Sequence, residues 1–214
     1  MIYERMFKIV KRRLGGMSDI TDDYLLDEAA LIQELTFEQN AFLPWFLMKR
    51  DQDLVVGAGV RTKDFLAGFL REDDEEPGMY SVSDGTYSKL RRRNYDQVRT
   101  SEREAGTPVI YALMRDGYIF AGVPEVSTTL KVSAYFADTV PVLSVENLWA
   151  KHAADLIVAE LIKKIASIRQ MEHKMQSAEA DVSMAWSRIQ AAHIVRQEAG
   201  REAVMGGPDA GSAD

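Results

Sequence analysis

Three kinds of residue in this 214-residue chain have side chains suited to chemistry: histidines, carboxylates and a run of arginines. The histidines are His152, His173 and His193, and they follow neither HExxH nor another metal-ligand spacing. The chain has no cysteine, which excludes a disulfide framework, a thiolate metal site and a cysteine nucleophile. We therefore expect no metal-binding residues.

Motifs for cofactors and for covalent catalysis are incomplete. Gly57-Ala58-Gly59 begins like a dinucleotide fingerprint, but no third glycine follows at the required spacing. The sequence contains no GxxxxGK[ST] phosphate loop and no GxSxG elbow. No carboxylate pair is set apart as an acid facing a nucleophile across a cleft. We expect no cofactor and no catalytic residues, so the sequence favours partner binding over turnover.

The sharpest basic cluster is Arg91-Arg92-Arg93, followed by Asn94 and Tyr95. Such a cluster suits phosphate or an acidic protein surface. It equally suits a sheet edge, where charge discourages edge-to-edge pairing. The cluster lies in a polar, charge-mixed connection over residues 89–108, and we expect this connection to be exposed or mobile until a partner docks.

Composition sets the class of protein. Hydrophobic residues make up 46% of the chain and charged residues 28%, which is enough for one sizeable core. The net charge of -7 and the pI near 5.1 argue against nucleic-acid binding by the whole surface. No apolar run is long enough to span a bilayer, and residues 1–16 lack the apolar core of a secretory signal. We expect a protein made in a cytoplasm, without membrane contact.

Helical periodicity marks the first fifty residues. Residues 1–14 form an amphipathic pattern that the Gly15-Gly16 pair closes. Thr21 is the predicted N-cap of a second helix, which has acidic residues in its first turn. Pro44 is expected to end or kink that helix.

Short apolar runs and turn signals follow, over residues 51–140. Asp84-Gly85 and Asp116-Gly117 each predict a hairpin turn. Residues 126–136 alternate apolar and polar side chains, as a half-buried antiparallel strand does. This part of the chain therefore predicts a small antiparallel β unit.

The last third returns to helix. Ser144 is the predicted N-cap of a helix whose apolar face runs to Ile168. The next helix has a heptad seam, suited to a close antiparallel partner or a second subunit, at Met171, Met175, Ala178, Val182, Ala185, Ile189 and Ala192. Beyond Val204 the chain has no periodicity and little to bury, so we expect it to be disordered alone.

Together these elements predict an α+β, mainly α fold: an antiparallel helical bundle with an inserted small antiparallel β unit and a flexible C-terminal tail. The predicted divisions are a helical pair at 1–50, the β unit with its loops at 51–143, a second helical pair at 144–204 and the tail at 205–214.

In this order the segments resemble a tailed-bacteriophage head-to-tail connector protein, the adaptor that forms a ring beneath the portal. The resemblance spans nearly the whole chain. It is carried by the aromatic Trp45-Phe46 after the first helical pair, KDFL (Lys63 to Leu66), DGYIFAGVP (Asp116 to Pro124), AYF (Ala134 to Phe136), the Pro141 linker, ENLWAKHAADLIVAELIKKIA and the long final helix.

The resemblance implies a non-enzymatic virion protein of the head-tail neck, assembled in the host cytoplasm. It implies a homo-oligomeric ring, commonly of twelve copies, whose helical bodies surround a channel through which DNA passes without specific binding. The partners it implies are the portal protein above and a tail tube, nozzle or fibre protein below. An acidic lumen suits this role, because it repels the DNA backbone.

The resemblance also assigns two surfaces. The portal-binding residues are Arg196, Arg201, Val204, Met205, Gly206, Gly207, Pro208 and Asp209. The residues that face the tail component are Arg91, Arg92, Arg93, Asn94 and Tyr95.

Two other classes stay open. One is a neck-associated peptidoglycan hydrolase with Glu or Asp as its acid, for which the discriminating measurement is a cell-wall lysis assay. The other is a helical regulatory or DNA-binding protein, which a stable dimer and salt-sensitive DNA affinity would indicate.

Overall fold

A computed structural model describes residues 1–38, 48–72, 78–83, 85–101 and 104–205, with the backbone alone for Glu104, His193 and residues 195–205. The fold is α+β, with 44% helix and 28% strand. The chain divides into two compact units. The helical unit comprises Met1–Trp45 and Asp138–Asp214, and the β unit comprises Phe46–Ala137.

The helical unit contains five of the helices. They are α1 (Tyr3–Arg13), α2 (Asp22–Ile32), which continues as a π-helical segment (Gln33–Glu38), α4 (Leu148–His152), α5 (Ala154–Ile168) and α6 (Glu172–Met205). The helix α3 (Tyr95–Thr100) belongs to the β unit.

The helix boundaries test three local predictions. Gly15 and Gly16 follow α1 with φ of 103° and 76°, a conformation that favours glycine, so this stop is confirmed. Thr21 caps α2 as predicted, because its side chain accepts a hydrogen bond from the Tyr24 N–H at 3.2 Å. The predicted cap at Ser144 is wrong: Asn147 precedes α4 and accepts the Ala150 N–H at 2.8 Å.

The β unit contains eleven described strands. They are β1 (Lys49–Val56), β2 (Thr62–Asp64), β3 (Phe69–Glu72), β4 (Gly78–Ser83), β5 (Thr86–Lys89), β6 (Arg91–Arg92), β7 (Glu104–Ala105), β8 (Ile110–Leu113), β9 (Gly117–Phe120), β10 (Gly122–Val123) and β11 (Thr128–Phe136). A five-stranded antiparallel sheet has the order β1-β11-β4-β5, with β3 also on β11. A four-stranded sheet has the order β2-β9-β8-β6, and β7 and β10 form a parallel pair.

Both predicted hairpins are confirmed. The strands β4 and β5 pair antiparallel with Ser83 opposite Thr86, and Gly85 has a φ of 77°. The strands β8 and β9 pair antiparallel on either side of the second turn. Glycine is required at position 117 because a Cβ atom there would lie 2.3 Å from the Lys63 carbonyl oxygen of β2.

The two larger sheets share one core. Side chains from β1, β4, β8, β9 and β11 form its buried cluster, which contains Leu54, Val56, Met79, Leu90, Tyr111, Tyr118, Phe120, Leu130, Val132, Ala134 and Phe136. The helix α3 packs Val98 against Ala112 and Ile119, which lie in β8 and β9.

The predicted fold class is therefore wrong. The structure is not a helical bundle with a small antiparallel insertion, because strands make up more than a quarter of the fold and form sheets that are antiparallel and mixed. The strand β6 runs parallel to β8, which the hairpin signals could not indicate. The physical reason is that the apolar runs of residues 51–136 bury one another between two sheets instead of resting on helices.

Candidate functional site

The predicted tail-facing residues lie on β6, on the first residue of α3 and in the two-residue connection between them, all in the β unit. Arg91 and Arg93 donate their backbone N–H groups to the carbonyl oxygens of Val109 at 2.8 Å and Tyr111 at 2.9 Å. Tyr95 begins α3, and Val98 of this helix is buried. The expectation that this connection is exposed is confirmed for most described residues between 89 and 101, of which only Leu90 and Val98 are buried. The segment includes the strand β6 and the helix α3.

The three arginines differ in whether a carboxylate lies beside them. The Nη1 atom of Arg92 lies 3.3 Å from a carboxylate oxygen of Glu72, which is only 3% exposed. Within the described residues, no carboxylate lies at ion-pair distance from Arg91 or Arg93. Two of the three cations are thus available to a partner, and the third neutralises a buried charge.

Two tyrosines complete the surroundings of Glu72. Burial raises the pKa of the Tyr111 hydroxyl, and the neighbouring Glu72 carboxylate raises this pKa further. Burial and Glu72 likewise raise the pKa of Tyr118. Both tyrosines stay protonated and neutral, so the Glu72 side chain lies between a cation and hydroxyl groups. A carboxylate this deeply buried cannot approach a polysaccharide in this conformation, so we assign it a stabilising role.

Asn94 and Tyr95 complete the predicted run. Asn94 occupies the N-cap position of α3, although its side chain makes no capping hydrogen bond. Tyr95 is 43% exposed, and the Arg99 guanidinium lies 5.9 Å from its ring centroid. All five residues of the run are exposed, and among its arginines Arg92 alone lies at ion-pair distance from a described carboxylate.

Arg61 is a structural residue that the sequence did not reveal. Its guanidinium donates hydrogen bonds to the carbonyl oxygens of Val98, Arg99 and Ser101, at the C-terminal end of α3. It also donates to the Phe120 carbonyl oxygen in β9. No local pattern identifies such a residue, because its partners lie about forty residues away along the chain.

The predicted portal-binding residues belong to the other unit. Arg196, Arg201, Val204 and Met205 lie in the last turns of α6. Residues 206–209, with the rest of the predicted flexible tail, lie outside the described residues. The structure thus assigns the two predicted surfaces to different units.

The burial of α6 changes along its length. Ala178, Val182 and Ala185 of the predicted seam are buried. Farther along the helix, Ala192 is exposed and Ile194 is 51% exposed. The backbone of α6 stays helical to Met205, twenty residues beyond Ala185.

A groove of about 480 Å³ lies beside α6 in the helical unit. Its apolar lining includes Leu31, Leu35, Ile168 and Met175, with Lys163 and Lys164 beside them. Leu31 is 45% exposed and Ile168 is 59% exposed. Apolar residues exposed together on a soluble domain are typical of a contact surface.

A polar network joins distant segments of the helical unit. The carboxylate of Glu38 accepts hydrogen bonds from Gln33 Nε2 at 3.0 Å and from the Asp138 N–H at 2.9 Å. It also accepts one from Trp149 Nε1 at 3.3 Å. Asn147 connects the same network to the Tyr3 hydroxyl at 3.1 Å. These bonds fix the start of α4 against α1 and the end of α2.

Replacing Glu38 with glutamine should change how the stability of the helical unit depends on pH. Burial raises the pKa of Glu38, so this residue contributes stability below its unfolded-state pKa and loses that contribution as pH rises through the folded-state pKa. The free energy of unfolding of Glu38→Gln, taken relative to that of wild type, should therefore increase from about pH 4 to about pH 7. The measurement is urea unfolding across that range, with exposed Glu4→Gln as control. Equal pH slopes for both variants would contradict this prediction.

In the described part of the chain, no group of three or more His, Asp or Glu side chains is placed to hold a metal ion. No described helix is both long and apolar enough to cross a bilayer.

In the comparisons with known proteins, no protein-family model matches the chain, and no curated protein matches its sequence.

Proposed function

We propose that this chain is the head-to-tail adaptor of a tailed bacteriophage, a structural virion protein that forms a ring between the portal and the tail components. The single observation that carries the proposal is α6, which extends well beyond its buried seam and presents Ile194 on its surface. An exposed apolar side chain far along a long helix is suited to insertion into a larger assembly, because a partner can bury it.

The remaining features suit the same role. The segments that carry the resemblance include β9 and β10, the end of β11, and α4 with α5. Trp45 and Phe46, which also belong to it, lie outside the described residues. The apolar groove beside α6 suits packing of helical bodies within a ring. The net charge of -7 suits a channel wall that repels DNA.

The decisive experiment is to mix the purified chain with the portal ring encoded beside it and to determine the native mass of the product. The intact chain should add in many copies to each portal ring. A variant that ends at Val204 should keep its far-UV circular dichroism spectrum but bind at least about 100-fold more weakly, because it lacks Met205 and residues 206–209 of the predicted portal-binding set.

Four results would change these assignments. Wild-type protein that never binds the portal would overturn the adaptor proposal. Release of peptides or sugars from purified cell walls would favour the hydrolase class. A fixed dimer with salt-sensitive affinity for DNA would favour the regulatory class. Truncated protein that binds the portal normally would refute the predicted anchor at the C-terminus.

A further inference from the structure

The five-stranded sheet has one buried face and one outward face. Leu54, Leu130 and Val132 point into the core, so the alternate positions on these strands point outward. One outward row crosses the whole sheet, with Asp53 on β1 opposite Lys131 on β11, then Tyr80 on β4 and Lys89 on β5. The adjacent outward row begins with Val55 on β1 and ends with Tyr87 on β5.

The β1 edge of this sheet carries Asp51 and Asp53 after Lys49 and Arg50, whereas the β5 edge carries basic charge alone. At the β1 edge, Asp51 and Asp53 point outward with Val55, which is 52% exposed. At the β5 edge, Tyr87 is 56% exposed and Lys89 points outward, with Arg91 two residues farther on. Among the described residues, β1 and β5 each pair with a strand on one side only. Both edges therefore have backbone groups available to another strand.

The charges at these edges are only weakly satisfied within the chain. Asp53 is 66% exposed, and its Lys131 partner lies at 3.9 Å, the long end of an ion pair. Within the described residues, no carboxylate is at ion-pair distance from Lys89 or Arg91. Both edges thus retain charge that a partner can neutralise.

Strand direction makes the edges complementary. Each neighbouring pair along β1-β11-β4-β5 is antiparallel, so β1 and β5 run in opposite directions. A second copy displaced across the sheet by about four strand spacings, or roughly 19 Å, would bring its β5 antiparallel to β1 of the first. In that register Asp53 faces the second copy's Lys89 and Val55 faces its Tyr87. Asp51 lies toward its Arg91.

We propose that copies of this chain associate head to tail through the β1 edge of one copy and the β5 edge of the next. Two β5 edges would place base against base, which disfavours a symmetric dimer through that edge. A repeated contact of this kind closes into a ring when the rotation between copies allows it, and the twist between strands supplies a rotation.

This inference deepens the proposed function, since it rests on the ring and names the contact that builds it. It assigns Lys89 and Arg91 to the neighbouring copy. Arg93 and Tyr95 remain available to the tail component. The partner is therefore a second copy of this chain. It is recognised by its charges and by the contact of Val55 with the second copy's Tyr87.

The test uses two charge-reversed variants of the full chain. One is Asp51→Lys with Asp53→Lys, and the other is Lys89→Glu with Arg91→Glu. Sedimentation velocity should show a concentration-dependent, salt-sensitive association of wild-type protein. Each variant alone should associate roughly 100-fold more weakly, because like charges then meet at every contact. An equimolar mixture should associate again, since each copy with two basic edges then lies between copies with two acidic edges.

The controls separate this contact from other effects. Arg115→Glu reverses a charge at an exposed turn away from both edges and should leave association unchanged. Circular dichroism tests whether each variant is folded. Association in the equimolar mixture is a second test, because only folded variants can associate through these edges. Unchanged association of both variants, a mixture that stays monomeric, or wild-type protein that is monomeric up to its solubility limit would overturn the inference. Failure to bind the portal, with edge-dependent association intact, would overturn the adaptor proposal alone.

Discussion

Replacing Arg92 with alanine is expected to destabilise the β unit by about 2–3 kcal/mol. The guanidinium lies 3.3 Å from the Glu72 carboxylate, whose side chain is 1% exposed. Removing one member of such a pair leaves its charge in a medium of low polarity without the cation that offset the loss of water. The expected cost is below the upper range for buried pairs because the Arg92 side chain is itself 36% exposed.

The neighbouring arginines provide matched controls for this measurement. Arg91→Ala and Arg93→Ala remove the same charge from the same short segment, and each should change the unfolding free energy by less than about 0.5 kcal/mol. Combining Arg92→Ala with Glu72→Gln should recover part of the loss, since the buried charge is then absent. Urea unfolding monitored by circular dichroism gives all four values. Equal costs for the three single alanine variants would refute the special role of Arg92.

Replacing Trp149 with alanine is expected to destabilise the helical unit by about 3–5 kcal/mol. Trp149 is fully buried, and its ring centroid lies 4.6 Å from that of Phe37. Its Nε1–H donates to Glu38, so the variant loses a ring contact, a large buried volume and one bond of the polar network. The measurement is urea unfolding followed by the helical circular dichroism signal.

Trp149→Phe separates packing from hydrogen bonding. It keeps an aromatic ring beside Phe37 and removes the indole N–H, so its cost should be clearly smaller, about 1–2 kcal/mol. A phenylalanine variant as unstable as the alanine variant would mean that the hydrogen bond to Glu38, and not the packing against Phe37, dominates. Wild-type stability in the alanine variant would contradict the proposed core role altogether.

Several local elements were predictable because their causes lie within a few residues. Glycines with positive φ follow the end of α1, at Gly15 and Gly16, and form part of the β4–β5 turn, at Gly85. Thr21 caps α2 through a bond to a residue three positions on. The alternation over β11 correctly placed Leu130, Val132 and Ala134 on the buried face. Each of these signals acts without reference to the rest of the fold.

The candidate site was only partly predictable, because its contacts join residues that are distant in the sequence. The sequence identified Arg91, Arg92 and Arg93 as one cluster, but it could not show that Arg92 faces Glu72. That contact depends on β6 joining β8 and on β3 joining β11. Arg61 was missed because its partners are distant in sequence. Within the final helix, the heptad spacing predicted a seam through Ala192, whereas burial is complete only for Ala178, Val182 and Ala185.

The sequence by itself determined the short-range features of this protein: helix stops, a helix cap, hairpin turns and the faces of strands. These depend on backbone preference, on nearby hydrogen bonds and on the alternation of apolar residues. Only the tertiary structure decided that β1 pairs with β11, which lies over seventy residues later, and that two sheets enclose one core. Many registers would bury similar apolar area, and the choice among them depends on all strands packing together.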